Sequence, residues 1–194
     1  MHTLIFGGSF NPLHNGHVAL CRYVLQEQLA EEVWLMVSPQ NPLKAASSLA
    51  PEALRFRWAQ AAEMEVEGVR ACNFEFQLPR PSYTYKTLEA LRRTFPERRF
   101  SLLIGADNWH AFPRWRANEK LLRTTDIYVY PRQGFSIDAA SLPSRVHLTA
   151  APLYPISSTV IRQRAAKGES IAGLLPKSIE EEVRAYYQAN ILKV

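Results

Sequence analysis

The segment Gly7-Gly8-Ser9-Phe10-Asn11-Pro12-Leu13-His14-Asn15-Gly16-His17 concentrates residue types that can hold an anion. It follows the short apolar run Leu4-Ile5-Phe6 and leads into apolar residues at helical spacing. Glycines directly after a strand let the backbone approach a ligand closely and expose its N–H groups. A helix start adds unsatisfied N–H donors and the positive end of a dipole. His14 and His17 lie one turn apart there, so both rings can face one anion, and Gly16 between them leaves room for a nucleotide. The plain alternative is a strand-to-helix turn with two surface histidines. A zinc site lacks the glutamate of HExxH and an evident third ligand. The GxGxxG fingerprint and the Walker A lysine are both absent, which disfavours a Rossmann dehydrogenase and a P-loop enzyme.

A second group stands far along the chain in Ile156-Ser157-Ser158-Thr159-Val160-Ile161-Arg162. Ser157 or Ser158 is expected to cap a helix whose N-terminus donates to phosphates. Arg162, one turn on, presents a planar fork suited to two phosphate oxygens. Standing alone, this is equally well a capped helix with an exposed arginine. Asp107 follows a strand-like run and Gly105, which places a carboxylate at a strand's carboxyl end; a turn or N-cap aspartate is the simpler account. Lys44 falls in a Pro-, Asn- and Ser-rich stretch, where a solvated loop lysine is nearly as good a reading. No Ser-His-Asp arrangement or carboxylate pair is evident, so the chemistry needs no strong general base.

Together these motifs resemble the HxGH nucleotidylyltransferase superfamily, whose signatures GSFNPxHxGH and ISSTxIR match near opposite ends of the chain. Ser82-Tyr83-Thr84-Tyr85-Lys86-Thr87-Leu88 and Gly105-Ala106-Asp107-Asn108 with Trp115 are similar to the bacterial nicotinate-nucleotide adenylyltransferases. The resemblance implies transfer of adenylate from ATP to nicotinate mononucleotide, giving deamido-NAD and pyrophosphate, with Mg2+ bridging the triphosphate. It implies ATP contacts at Gly7, Gly8, Ser9, Phe10, His14, His17, Gly105, Asp107, Arg132, Ile156, Ser157, Ser158 and Arg162. Mononucleotide contacts are implied at Ser9, Lys44, Tyr83, Thr84, Asp107 and Trp115, with Thr84 and Trp115 bordering the nicotinate ring. His14, His17, Lys44 and Arg162 would supply a positive catalytic field, and no side chain is assigned to the metal. Pro131-Arg132-Gln133-Gly134 departs from the family's more usual Arg-Pro-Gly. Alternatives are a nicotinamide-mononucleotide or phosphopantetheine adenylyltransferase, and a non-catalytic adenine-nucleotide sensor. A truncated tRNA synthetase is opposed by the lack of a KMSKS-like motif.

The elements that must position these residues alternate. Buried strands are predicted over residues 3–6, 33–37, 69–76, 100–104, 127–130 and 146–148, and helices over 16–29, 51–66, 83–95, 118–123, 157–168 and 178–189. This order predicts an α/β fold, a Rossmann-like parallel sheet with helices on both faces and ligands beyond the strands' carboxyl ends. The 194 residues favour one domain over 1–194, with the C-terminal helices (about 157–194) as a small subdomain. The formal charge of +5 permits anionic partners, but no aromatic residues interleave with a basic run, so nucleic acid is not expected. No apolar run is long enough for a membrane span and no signal peptide opens the chain. With only Cys21 and Cys72, read as reduced thiols, this points to the cytoplasm.

Overall fold

A computed structural model describes residues 1–39 and 49–191. Six strands form one parallel sheet in the order β3-β2-β1-β4-β5-β6. They are β1 (His2–Gly8), β2 (Glu32–Val37), β3 (Val69–Cys72), β4 (Arg99–Gly105), β5 (Ile127–Tyr130) and β6 (Val146–Leu148). The α-helices are α1 (Asn15–Gln26), α2 (Glu52–Glu65), α3 (Thr84–Thr94), α4 (Ala106–Ala111), α5 (Asn118–Thr124), α6 (Ser158–Ala166) and α7 (Lys177–Ala189).

The near-continuous apolar runs of β1, β2 and β4 are what a sheet covered on both faces demands. Alternate side chains go to opposite faces. Leu4, Phe6, Val33 and Leu35 join the core under α1, α2, α6 and α7. Ile5, Trp34, Met36, Leu102 and Ile104 join the core under α3, α4 and α5. Ile161, Ala165, Val183 and Tyr187 of the last two helices belong to the first of these cores, shared with α1 and α2. The strand order turns back between β1 and β4, which pair Phe6 with Leu103. Strand ends diverge at such a point and open a crevice.

Two predicted boundaries shift and one helix is additional. The third strand stops at Cys72, and Phe74–Gln77 forms a 3-10 turn instead. Glu75 turns inward there to hydroxyl partners, which an extended strand would not permit. The first helix ends at Gln26 rather than 29, and Gln28 takes a left-handed φ of 53°. A helix over Ala106–Ala111, which no hydrophobic period announces, begins directly at the end of β4.

Candidate active site

Two adjoining clefts lie above the carboxyl ends of β1 and β4, and Phe6 and Tyr130 line both. The first cleft brings together His14, His17, Asp107, Arg132, Ile156 and Ser157. Gly7, Gly8, Gly105, Tyr83, Thr84 and Trp115 line the second, with Ser38 and Glu75 deeper in its wall. Residues expected far apart in sequence are therefore neighbours in space. Lys44 lies outside the described residues.

The loop after β1 is held in a fixed shape. Phe10 has φ of 43°, left-handed for a bulky residue, a conformation that persists only where the surroundings over-determine it. Its ring is buried and packs edge-on against Phe6 and His17, at 5.7 and 5.1 Å between centroids. The Phe10 side chain supports the loop from beneath. Arg55 explains the rest. Only 1% exposed, it donates to the carbonyls of Ser9, Ser38, Pro39 and Ala50 at 2.7–3.0 Å. One guanidinium thus fastens the β1 loop to the chain leaving β2 and to the residue that returns to α2.

His14 and His17 stack, with ring centroids 3.6 Å apart and 19° between planes. A Cβ on Gly16 would come within 3.1 Å of the His14 ring, so the glycine admits this stacking. The backbone N–H of His14 donates to His17 Nδ1 at 3.2 Å. In the neutral His17 ring that places the proton on Nε2, a donor at the cleft. Burial first, then the nearby Arg132 charge, pushes the His14 pKa down to about 3. The expected positive charge is therefore absent from His14 near neutrality, and its ring enters as a neutral hydrogen-bonding group. His14 Nδ1 is buried with no partner.

The helix expected to be capped by a serine starts differently. Ser157 is at the cap position of α6 but its side chain makes no capping bond. The Ser158 hydroxyl donates to the Pro12 carbonyl at 2.9 Å. The first N–H groups of α6 are consequently left without a side-chain acceptor, at a helix end that favours anions. Arg162 donates through Nη1 to the Asn11 carbonyl at 3.0 Å, while its buried Nε has no partner. Asn11 is the hub of this region. Its Oδ1 also accepts from Ala50 N–H at 3.0 Å and from Tyr187 Oη at 2.8 Å.

Asp107 sits in the first turn of α4, and Gly105 before it leaves room for the Asp107 carboxylate, which a Cβ there would displace. Asp107 Oδ1 is buried without a hydrogen bond; Arg132 Nε at 3.6 Å is too far to donate one. Buried polar atoms are ordinarily satisfied. Three of those left over among the described residues belong to cleft-lining side chains: His14 Nδ1 and Asp107 Oδ1 in the first cleft and Ser82 Oγ in the second. Among the described residues no group of three or more His, Cys, Asp or Glu could hold a metal.

In the second cleft Tyr83 precedes α3 without a capping side chain; Lys86 and Thr87 N–H donate to the Tyr83 carbonyl, which leaves the N–H groups of Thr84 and Tyr85 as the ones at this helix start without an intrahelical acceptor. Trp115 stands half-buried on the opposite wall, against Phe112 at 5.3 Å. The buried indoles of Trp34 and Trp58 by contrast donate to Glu32 and Glu182. Arg114 and Arg116 reach the same cleft, Arg116 lying 5.2 Å over the Tyr83 ring.

The family described as cytidylyltransferase-like matches residues 5–164. The chain is 45% identical to a protein named "Probable nicotinate-nucleotide adenylyltransferase" from Bacteroides thetaiotaomicron, over 98% of this chain and 95% of the relative. A relative of the same name from Cytophaga hutchinsonii is 40% identical over 94% and 96% of the two chains. The chain belongs to the nicotinate-nucleotide adenylyltransferase family. Its fold is also that of the Plasmodium falciparum nicotinic acid mononucleotide adenylyltransferase complexed with NaAD, with a TM-score of 0.82 at 19% identity over 98% of each chain. Members of this adenylyltransferase family are thus what the sequence motifs pointed to, and the two clefts are where those motifs meet.

Arg55, Asn11, Glu75 and Tyr187 were not singled out from sequence. Arg55 carried a usable signal, since it occupies the buried stripe of α2 with Trp58, Ala59 and Ala62. An arginine at a core position of a helix implies a built set of acceptors. Glu75, between two phenylalanines, carried a weaker one.

Proposed function

We propose that the chain joins ATP and nicotinate mononucleotide to give deamido-NAD and pyrophosphate, as a step of NAD biosynthesis in the cytoplasm. The observation that carries this reading is the pair of adjoining clefts, one built from both nucleotidylyltransferase signatures and the other from SYT and Trp115. Among the described residues no helix is long and apolar enough to cross a membrane.

ATP occupies the first cleft. The α1 and α6 starts, His17, Arg162 Nε and the Ser157–Ser158 amides face its triphosphate, and Asp107 takes the ribose or base side. Arg132 lies beside Asp107 as a further ATP contact. The mononucleotide fills the second cleft, its pyridine against Trp115 and its carboxylate at the Thr84 end of α3, where helix N–H groups favour an anion. The 5′-phosphate has a second pKa near 6, so it is largely dianionic at neutral pH and needs no general base. One of its oxygens bonds to the α-phosphorus of ATP as the bond to the β-phosphate's bridging oxygen breaks and pyrophosphate leaves. Catalysis is positioning plus stabilisation of developing charge. Lys44 is assigned to the phosphates within the same proposal.

Mg2+ enters with ATP. It favours phosphate oxygens and water over an all-protein cage, and the cleft, with Asp107 as a lone carboxylate beside Arg132, suits that mode. When bound, it neutralises phosphate charge. Removing one donor aimed at a transition state costs roughly 3–4 kcal/mol, so His17→Ala should lower kcat about a hundredfold or more while ATP affinity changes far less. Pyrophosphate release measured with ATP, Mg2+ and nicotinate mononucleotide tests this. An unchanged kcat in His17→Ala removes the role, and no release by the parent protein removes the reading.

A further inference from the structure

Glu75 is a buried carboxylate that no step above uses. It is 6% exposed, and no lysine or arginine among the described residues pairs with it. Its two oxygens accept from Thr87 Oγ1 at 2.8 Å and Ser38 Oγ at 3.0 Å. Ser38 directly follows β2, and Thr87 belongs to the first turn of α3. The Ser82 hydroxyl, also buried, lies on the same wall beside the Glu75 carboxyl. All four residues line the second cleft.

Burial pushes the Glu75 carboxyl above its usual range, and the surrounding hydroxyls only partly offset this. For packing alone an apolar side chain of similar volume would be cheaper. An ionised carboxylate does something an apolar residue cannot: it accepts only, and so draws the hydroxyls of two separate elements to one point. Those elements are the end of β2 and the start of α3. The second carries Tyr83 and Thr84 at the cleft.

We propose that Glu75 is the positioning residue of the mononucleotide cleft: by gripping Ser38 and Thr87 it sets the start of α3 against the sheet. This rests on reading the second cleft as the mononucleotide site. Affinity for the mononucleotide, rather than for ATP, is what the anchor governs.

Steady-state kinetics on the full chain with ATP and Mg2+ test it. Glu75→Ala orphans two buried hydroxyls, and the expected effect is a rise of about tenfold in KM for nicotinate mononucleotide, with kcat and the ATP KM within about twofold. Glu75→Gln keeps one acceptor and should raise that KM by a smaller factor, roughly threefold. Thr87→Val should raise it too, and the double variant Glu75→Ala with Thr87→Val should be no worse than Glu75→Ala alone, because both act through one contact. If Glu75→Ala does not fold, Glu75→Gln and Thr87→Val carry the same comparison. An equal rise in both KM values, or lowered thermal stability with an unchanged mononucleotide KM, overturns the proposal. A parent protein that fails to turn over nicotinate mononucleotide instead overturns the assignment of the cleft itself.

Discussion

Replacing His14 by asparagine should remove a specific part of the protein's acid sensitivity. The ring is 4% exposed, and burial together with Arg132 lowers its pKa from 6.5 to about 3. As pH falls through 6.5, the unfolded chain takes up a proton at His14 and the folded chain does not until about 3. The unfolded state binds more protons over that whole interval, so stability declines as the solution is acidified. Each unit of pKa difference corresponds to about 1.4 kcal/mol. At about pH 5 roughly one and a half of those units have been traversed, which amounts to a loss of about 2 kcal/mol relative to about pH 7.5. Urea unfolding at a series of pH values, followed by tryptophan fluorescence, measures it. His14→Asn should be less stable at neutral pH but should lose about 2 kcal/mol less than the parent between those two pH values. Parallel pH curves would mean that His14 titrates normally, and with that its role as a neutral group beside the triphosphate would be lost.

Other consequences follow from the loop contacts. Arg55→Lys keeps the charge but cannot reach the four carbonyls the guanidinium spans, and should cost about 2–4 kcal/mol in urea unfolding; a loss below about 0.5 kcal/mol would show that the fork geometry is dispensable. Tyr187→Phe deletes the bond to Asn11 Oδ1 and should cost about 1 kcal/mol by the same assay, because Ala50 N–H still serves that oxygen. Trp115→Ala should raise the mononucleotide KM about three- to tenfold through lost ring contact, leaving the ATP KM nearly unchanged; equal effects on both would place the indole elsewhere.

Much of the sheet was legible because β1, β2, β4 and β5 are short apolar runs stopped by glycine, a proline or a polar loop, the pattern of strands buried on both faces. The pairing of His14 with His17 was legible for a related reason: they lie one turn apart at a helix start with Gly16 between them, and their rings stack. Less could be read where tertiary partners decide the outcome. The turn at Phe74–Gln77 reads as strand from its aromatic residues, and only the inward hydroxyl partners of Glu75 explain why it is not. Helix α4 is too short to show a period, and its start depends on Gly105 giving room to Asp107. The missing serine cap at α6 could not be foreseen either, since Ser158 spends its hydroxyl on a carbonyl 146 residues away in sequence. The neutrality of His14 likewise comes from burial, which no local pattern encodes.

The proposed function turns on whether the adenylyl group of ATP passes onto the acid mononucleotide. The most direct measurement offers nicotinate and nicotinamide mononucleotides together at equal concentration, with α-phosphate-labelled ATP and Mg2+, and follows the label into each dinucleotide. The label should accumulate predominantly in deamido-NAD, with one pyrophosphate released per dinucleotide formed. Label passing mainly into NAD, or remaining in ATP, would contradict it.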